Sequence, residues 1–223
     1  MKLYCHPQSG NSRRVLLTAA HLELSLEKVL VNLPEREQKG EPHLARNPNG
    51  RVPVLEDDGF LLWESRAIMI YLCDKTPGQE LLPVEPRAKA DVMRWLFWCA
   101  NHMQPAAGIL MLENFVKQIT GRGPADPVEV ARGEALFAQL CPVLDAHLAG
   151  KEWVAQERVT LADYSLAASF AAAGPARMPI QPYAHLRAWL SRVQELDAWK
   201  LTAAPPSAPA QPKAAEIPAP RQP

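Results

Sequence analysis

The sequence predicts an α/β first domain in the order β-α-β-α-β-β-α, followed by an all-helical second domain. Three observations carry this expectation. Two short apolar runs, KLYC (2–5) and LEKVLV (26–31), flank SRRVLLTAAHL (12–22), whose Val15, Ala19 and Leu22 recur at helical spacing. RVPVLEDDGFLLWES (51–65) reads as two strands turning at Asp58-Gly59. TPGQELLPVEP (76–86) then excludes a continuous helix through its three prolines, and everything after it reads as helical.

Each element follows in order. The first strand runs into HPQSGNSRRV (6–15), which collects Ser9, Gly10, Asn11 and Ser12 at a helix entrance. Such groups either cap the helix, by accepting its unpaired N–H groups, or hold an anion at its positive end. A short helix is expected near 41–46. SRAIMIYLCDK (65–75) is a helix with Ile68, Tyr71 and Leu72 inward and Ser65 as its cap. Residues 87–118 are helical, with a kink or end at Pro105. TGRGPADP (120–127) is a break. Phe137, Leu140, Leu144 and Leu148 then mark a helix over 128–149, although Pro142 conflicts with it. TLAD (160–163) has the spacing of a capping box, which makes Thr160 and Asp163 structural. A last helix over 183–199 buries Leu186, Trp189, Leu190, Val193 and Leu196. From Ala203 onward seven of 21 residues are proline, a composition that predicts a disordered tail. The expected division is therefore 1–76, a linker at 77–86, a helical domain at 87–202 and a tail at 203–223.

Composition narrows the function. Lys plus Arg equals Asp plus Glu at 24 each, so no strong field draws in nucleic acid or an anionic membrane. No apolar run approaches the ~20 residues of a membrane span, and MKLYCHP lacks a secretory signal's apolar stretch, which reads as a cytoplasmic protein. The four cysteines are far apart and the six histidines scattered, so neither a disulfide framework nor a metal site is expected. The partner should be a small molecule.

Val52-Pro53 stands just before a strand, where a proline requires an edge position or a cis bond. Together with HPQSGNSRRVLL, EQKGEPHLARNPNGRVPVLED and LLWESRAIMIYL, in this order and spacing, it gives a chain that resembles the cytosolic glutathione transferases. The resemblance is closest to the serine-using classes, the plant phi class and its bacterial relatives. It implies a thioredoxin-like glutathione-binding domain before the helical one, glutathione as co-substrate with no permanently bound cofactor, and a homodimer joining the first domain of one subunit to the helical domain of the other.

The chemistry it implies can be assigned residue by residue. Lowering a thiol pKa from ~8.5 by about two units needs ~2.7 kcal/mol of thiolate stabilisation, which one charge-assisted hydrogen bond plus a helix N-terminus can supply. Ser9 matches the hydroxyl that donates to the sulfur in the serine classes, and Asn11 the asparagine that some bacterial relatives use. Ser12 reads as a cap and Arg13 as a solvated surface residue. Glu64 would take the α-ammonium of the γ-glutamyl unit, and Ser65 with the following helix N-terminus its carboxylate. Val52, ahead of Pro53, would pair its backbone with the cysteinyl unit. Lys39, with Gln38 where the phi pattern often has His, would reach the glycyl carboxylate. Trp95, Trp98, Met103, Phe115 and Trp199 offer a wall for the second substrate, though such residues at helical spacing also build cores.

The leading function is conjugation of a Ser9-stabilised thiolate to a hydrophobic electrophile. A glutathione-dependent disulfide reductase or peroxidase is the alternative that Asn11 favours. Cys5 lies on the first strand and does not match the cysteine of the omega and beta classes, which argues against a mixed disulfide with the protein. A glutathione-binding module without turnover is the third reading, and Ser9 with Glu64-Ser65 argues against it.

Overall fold

The computed structural model describes residues 1–203; the segment from 204 on, expected to be disordered, lies outside the described residues. The first half is built on four strands, β1 (Lys2–Cys5), β2 (Glu27–Leu30), β3 (Val54–Asp57) and β4 (Phe60–Trp63). They form one sheet in the order β2-β1-β3-β4, with β1 parallel to β2 and antiparallel to β3, and β3 antiparallel to β4. The two-residue side-chain period sorts the strands between two cores. Leu3, Cys5 and Leu55 point to the face covered by α1 (Gly10–His21) and α3 (Ser65–Asp74), where Val15, Leu17, Ile68 and Leu72 are buried. Tyr4 and Val54 point to the other face, into a smaller cluster with Val31 and Val52. The hairpin turns at Asp58 and Gly59, both with positive φ (48° and 85°), as a two-residue loop between right-twisted strands requires. Asp57, at its base, accepts hydrogen bonds from Tyr71 (2.7 Å) and Lys75, which ties the hairpin to α3.

The expected linker is held down rather than loose: Leu81 and Leu82 are buried in the main core, and Leu161 N–H donates to the Leu81 carbonyl (3.0 Å). Its last residue, Pro86, opens α4 (Pro86–Trp98), which Glu85 caps through the N–H groups of Arg87 and Ala88. Helix continues through α5 (Gln104–Met111) and α6 (Lys117–Thr120), and Pro105 does not end it. The chain widens over Cys99–Met103, where Gln104 N–H reaches back five residues to Cys99. A second wide turn covers Leu112–Val116. Such turns absorb the donor that Pro105 lacks and re-aim the side chains that follow.

After a short helix α2 (Glu41–Leu44) in the first half, the long α7 (Pro127–Leu148) of the second runs unbroken through Pro142. Pro142 and Ala138 both face solvent, so the Ala138 carbonyl that loses its helical donor is open to water. The capping box at Thr160 and Asp163 opens α8 (Leu161–Ala167) as expected. The last helix is two: α9 (Ala184–Glu195) stops at extended Leu196, and α10 (Asp197–Leu201) turns Ala198 and Trp199 into the core beside α1. All four cysteines are buried free thiols, and burial pushes those of Cys73 and Cys141 up to about 12. Among the described residues no helix is long and apolar enough to cross a membrane.

Candidate active site at the domain boundary

The polar cluster at the start of α1 divides its tasks. Ser9 is the cap: its backbone is extended and its Oγ accepts from Ser12 N–H (3.2 Å). Ser12, expected to cap, is buried inside the helix, and its Oγ accepts from the His6 N–H (3.2 Å). Gly10 permits close approach, since a Cβ there would stand 3.0 Å from the Ala168 carbonyl oxygen of the helical domain. Asn11 is left facing the space between the domains.

That space is a cleft of about 450 Å³. Asn11, Val52, Pro53, Glu64 and Ser65 meet on its first-domain side, and Ala100, Gln104, Pro105 and Gly108 form its helical wall. The Val52-Pro53 peptide bond is cis. The Arg51 carbonyl just before it is held by Asn47 Nδ2 (2.8 Å) and His43 Nε2 (2.9 Å). A smaller pocket of about 190 Å³ shares Asn11, Gln104 and Gly108 with the cleft and adds Ser9, Ala107 and Met111.

Ser65 does not cap α3, contrary to the sequence reading. It is the first helical residue, Glu64 takes the cap position without a side-chain bond, and Glu64 holds a φ of 72°. A non-glycine residue in that region costs of order 1–3 kcal/mol and is characteristic of functional sites. Here the turn leaves Glu64 exposed at the cleft, with the Ser65 hydroxyl and the first-turn N–H groups of α3 beside it.

Beneath this floor lies Arg14, fully buried. Its Nη1 donates to Asn11 Oδ1, to Gln104 Oε1 (2.9 Å) and to Ser65 Oγ (3.4 Å); Nη2 donates to the Ser165 carbonyl and to Ser169 Oγ (both 3.3 Å). Burial, with Arg66 nearby, brings the Arg14 guanidinium down to about 9, so it is charged at neutral pH. Arg66 donates to Ser165 Oγ and to the Cys99 sulfur, both at 3.0 Å. Burial opposes ionisation of Cys99, but Arg66 and Arg14 outweigh it and hold this thiol below its ordinary value.

The other expected site residues lie elsewhere. Lys39 Nζ donates to the Asn49 carbonyl (3.1 Å), and the Gln38 side-chain oxygen is buried without a partner; neither is on the cleft wall. Gly50 packs against both: its φ is 58°, and a Cβ there would stand 2.8 Å from the Gln38 carbonyl oxygen and from Lys39 Nζ. Trp95 is core, stacked at a tilt on His147 (centroids 4.4 Å) and edge-on to Trp98 (5.3 Å). Met103 is fully buried and Phe115 half-buried, and none of these four lines either cavity. Trp199 is also buried. Arg13, expected to be solvated, is half-buried with its guanidinium 3.8 Å from the centre of the Trp199 ring.

Sequence reasoning missed Arg14, Gln104, Asn47, Arg51 and Arg66. Arg14 carried a usable signal, because it shares its helix face with Leu17 and Thr18, and a charge on a buried face must be paired. Gln104 carried none.

Comparison with known proteins agrees with this architecture. The family model described as glutathione S-transferase, N-terminal domain, matches residues 1–74, and the corresponding C-terminal domain model matches residues 103–197. A probable glutathione S-transferase GSTF2 from Oryza sativa subsp. japonica is 30% identical over 191 residues, 85% of this chain and 89% of its own. The crystal structure of glutathione transferase F7 from Populus trichocarpa superposes with a TM-score of 0.84 at 28% identity, covering 91% of this chain and 97% of that one. A structure of glutathione S-transferase-I bound with lactoylglutathione superposes with a TM-score of 0.81 at 27% identity, covering 91% and 98%. With both halves matched in order, and a relative at 30% identity across most of both chains, this chain belongs to the glutathione S-transferase family.

Proposed function

We propose that the cleft binds glutathione and that Asn11 is the principal donor to its sulfur, activating the thiolate for attack on a hydrophobic electrophile. The observation that carries this reading is the convergence of Asn11, Val52, Glu64 and Ser65 on one cleft. The Glu64 carboxylate takes the α-ammonium. Ser65 accepts from Arg14 through its oxygen, which leaves its O–H to donate to the α-carboxylate beside the positive end of α3. Val52 lies two residues before the β3 ladder, where its backbone can pair with the cysteinyl unit as an added strand. Lys39 and Gln38 are the groups proposed for the glycyl end. The γ-glutamyl anchors set the tripeptide's position, and the sulfur then meets the start of α1, where the N–H dipoles favour an anion. The electrophile occupies the adjoining pocket along Ala107, Gly108 and Met111, in place of the expected tryptophans. A relative solved with lactoylglutathione supports a glutathione-type ligand here.

Calorimetric titration of glutathione tests the reading. Glu64→Gln and Ser65→Ala are each expected to cost roughly 2–3 kcal/mol, about 30- to 150-fold in affinity, because each leaves a small fixed charge unpaired. Unchanged affinity in both would remove the γ-glutamyl assignment.

We further propose a homodimer. β4 is the sheet edge, and Phe60, Leu61 and Trp63 on it are 50%, 37% and 39% exposed, an apolar edge that a partner would cover. Light scattering at micromolar concentration should give about twice the 24.7 kDa chain mass, and Phe60→Lys should shift it toward the monomer. A monomeric mass for the unaltered chain would contradict the proposal.

A further inference from the structure

We infer that Arg14 and Gln104 are positioning residues that lock the Asn11 amide with its N–H₂ edge turned into the cleft, an inference that rests on Asn11 being the donor to glutathione sulfur. A primary amide can present either its oxygen or its nitrogen to a ligand, and only nitrogen can donate to a thiolate. In this site the choice is made by a group that has no alternative. Guanidinium carries five donors and no acceptor, so of an amide's two ends only the oxygen can meet Arg14 Nη1. Arg14 Nη1 meets both Asn11 and Gln104 (2.9 Å to the latter). It therefore fixes the Gln104 oxygen toward itself and turns the Gln104 N–H₂ outward, where Nε2 donates to Asn11 Oδ1 at 2.7 Å. Asn11 Oδ1 thus receives two donors. The remainder of the side chain, its N–H₂, is what the cleft can meet.

Three features keep the lock closed. Arg14 is fully buried and held from the other side by the Ser165 carbonyl and Ser169 Oγ, so its fork cannot turn. Arg66 and Glu64 are the charged groups around it, and the Glu64 carboxylate favours its protonated form. Gln104 comes from the helical domain, and the wide turn over Cys99–Met103 immediately before it sets its angle onto the cleft. The donor for sulfur is therefore assembled from both domains, although Asn11 belongs to the first.

The test reads the pKa of bound glutathione from its ultraviolet thiolate absorbance, in full-length protein carrying Asn11→Ala, Gln104→Met, the double change, and Asn11→Asp. Gln104→Met keeps the side-chain length and is neutral; thermal melting checks that it folds. It should raise the bound thiol pKa by about half a unit to one, a three- to tenfold loss of thiolate at fixed pH, with glutathione affinity within about twofold. In the Asn11→Ala background the same change should do nothing more, since Gln104 acts through Asn11. Asn11→Asp retains the acceptor for Arg14 and Gln104 but turns an anionic oxygen to the cleft, and should raise the thiol pKa beyond Asn11→Ala. If Gln104→Met has no effect, has the same effect without Asn11, or Asn11→Asp is milder than Asn11→Ala, the lock is wrong while Asn11 as donor can stand. If Asn11→Ala leaves the thiol pKa where it was, the assignment of Asn11 itself falls and the lock with it.

Discussion

Replacing Asn11 by alanine is expected to cut kcat/KM about ten- to a hundredfold at neutral pH, the equivalent of roughly 1.5–3 kcal/mol of thiolate stabilisation. The sign follows from ionisation. Without its donor the bound thiol has a higher pKa, a smaller fraction is thiolate at a given pH below it, and raising the pH restores the rate. Glutathione affinity should change little, because the proposed anchors of the tripeptide are Glu64 and Ser65 rather than its sulfur. Ser9→Ala should differ in kind. Its Oγ accepts from Ser12 N–H as the cap of α1, so its loss should cost about 1 kcal/mol of stability with a small kinetic effect. Parallel pH–rate profiles of the two variants decide between them, and a shift confined to Ser9→Ala would return the role to the hydroxyl.

Asp163→Ala is expected to cost about 3–5 kcal/mol of folding stability, a large share of what a chain of this size has. The fully buried carboxylate accepts four hydrogen bonds: from Val154 N–H (2.9 Å) and Trp189 Nε1 (2.8 Å) on one oxygen, and from Thr160 N–H (2.9 Å) and its hydroxyl (3.1 Å) on the other. It joins the start of α8, the loop before it and α9, so its removal strands donors in three segments. Asp163→Asn should lose less, since its oxygen still serves one pair of donors while its N–H₂ opposes the other. Urea unfolding midpoints measure both. A loss under about 1 kcal/mol for alanine would show that water replaces the carboxylate.

Local patterns in the chain were enough for much of the architecture. The strands read in KLYC and in RVPVLED, the Asp58-Gly59 turn and the TLAD box each depend on neighbours within a few residues, and each formed as read. Pro105 did not end its helix, and the conflict at Pro142 did not break the helix read across it, because a proline breaks a helix only where the freed carbonyl finds neither water nor a wider turn. The Glu64-Ser65 pair was legible because both residues are adjacent in sequence and in the cleft.

What the chain alone determined, then, is the order of elements, the buried faces and the polar loop before α1, all consequences of short-range periodicity and capping. Tertiary structure alone decided which member of that loop meets the cleft. Ser9 and Asn11 are two residues apart and chemically similar as donors, so no spacing rule separates them. They are separated by contacts over 90 to 158 residues, in which Gly10 lets α1 abut Ala168 and Arg14 reaches Gln104 and Ser169. The two terminal nitrogens of the buried Arg14 guanidinium bond the oxygens that the fold brings to them, and that pairing, invisible in the linear order, sets the direction of the Asn11 amide.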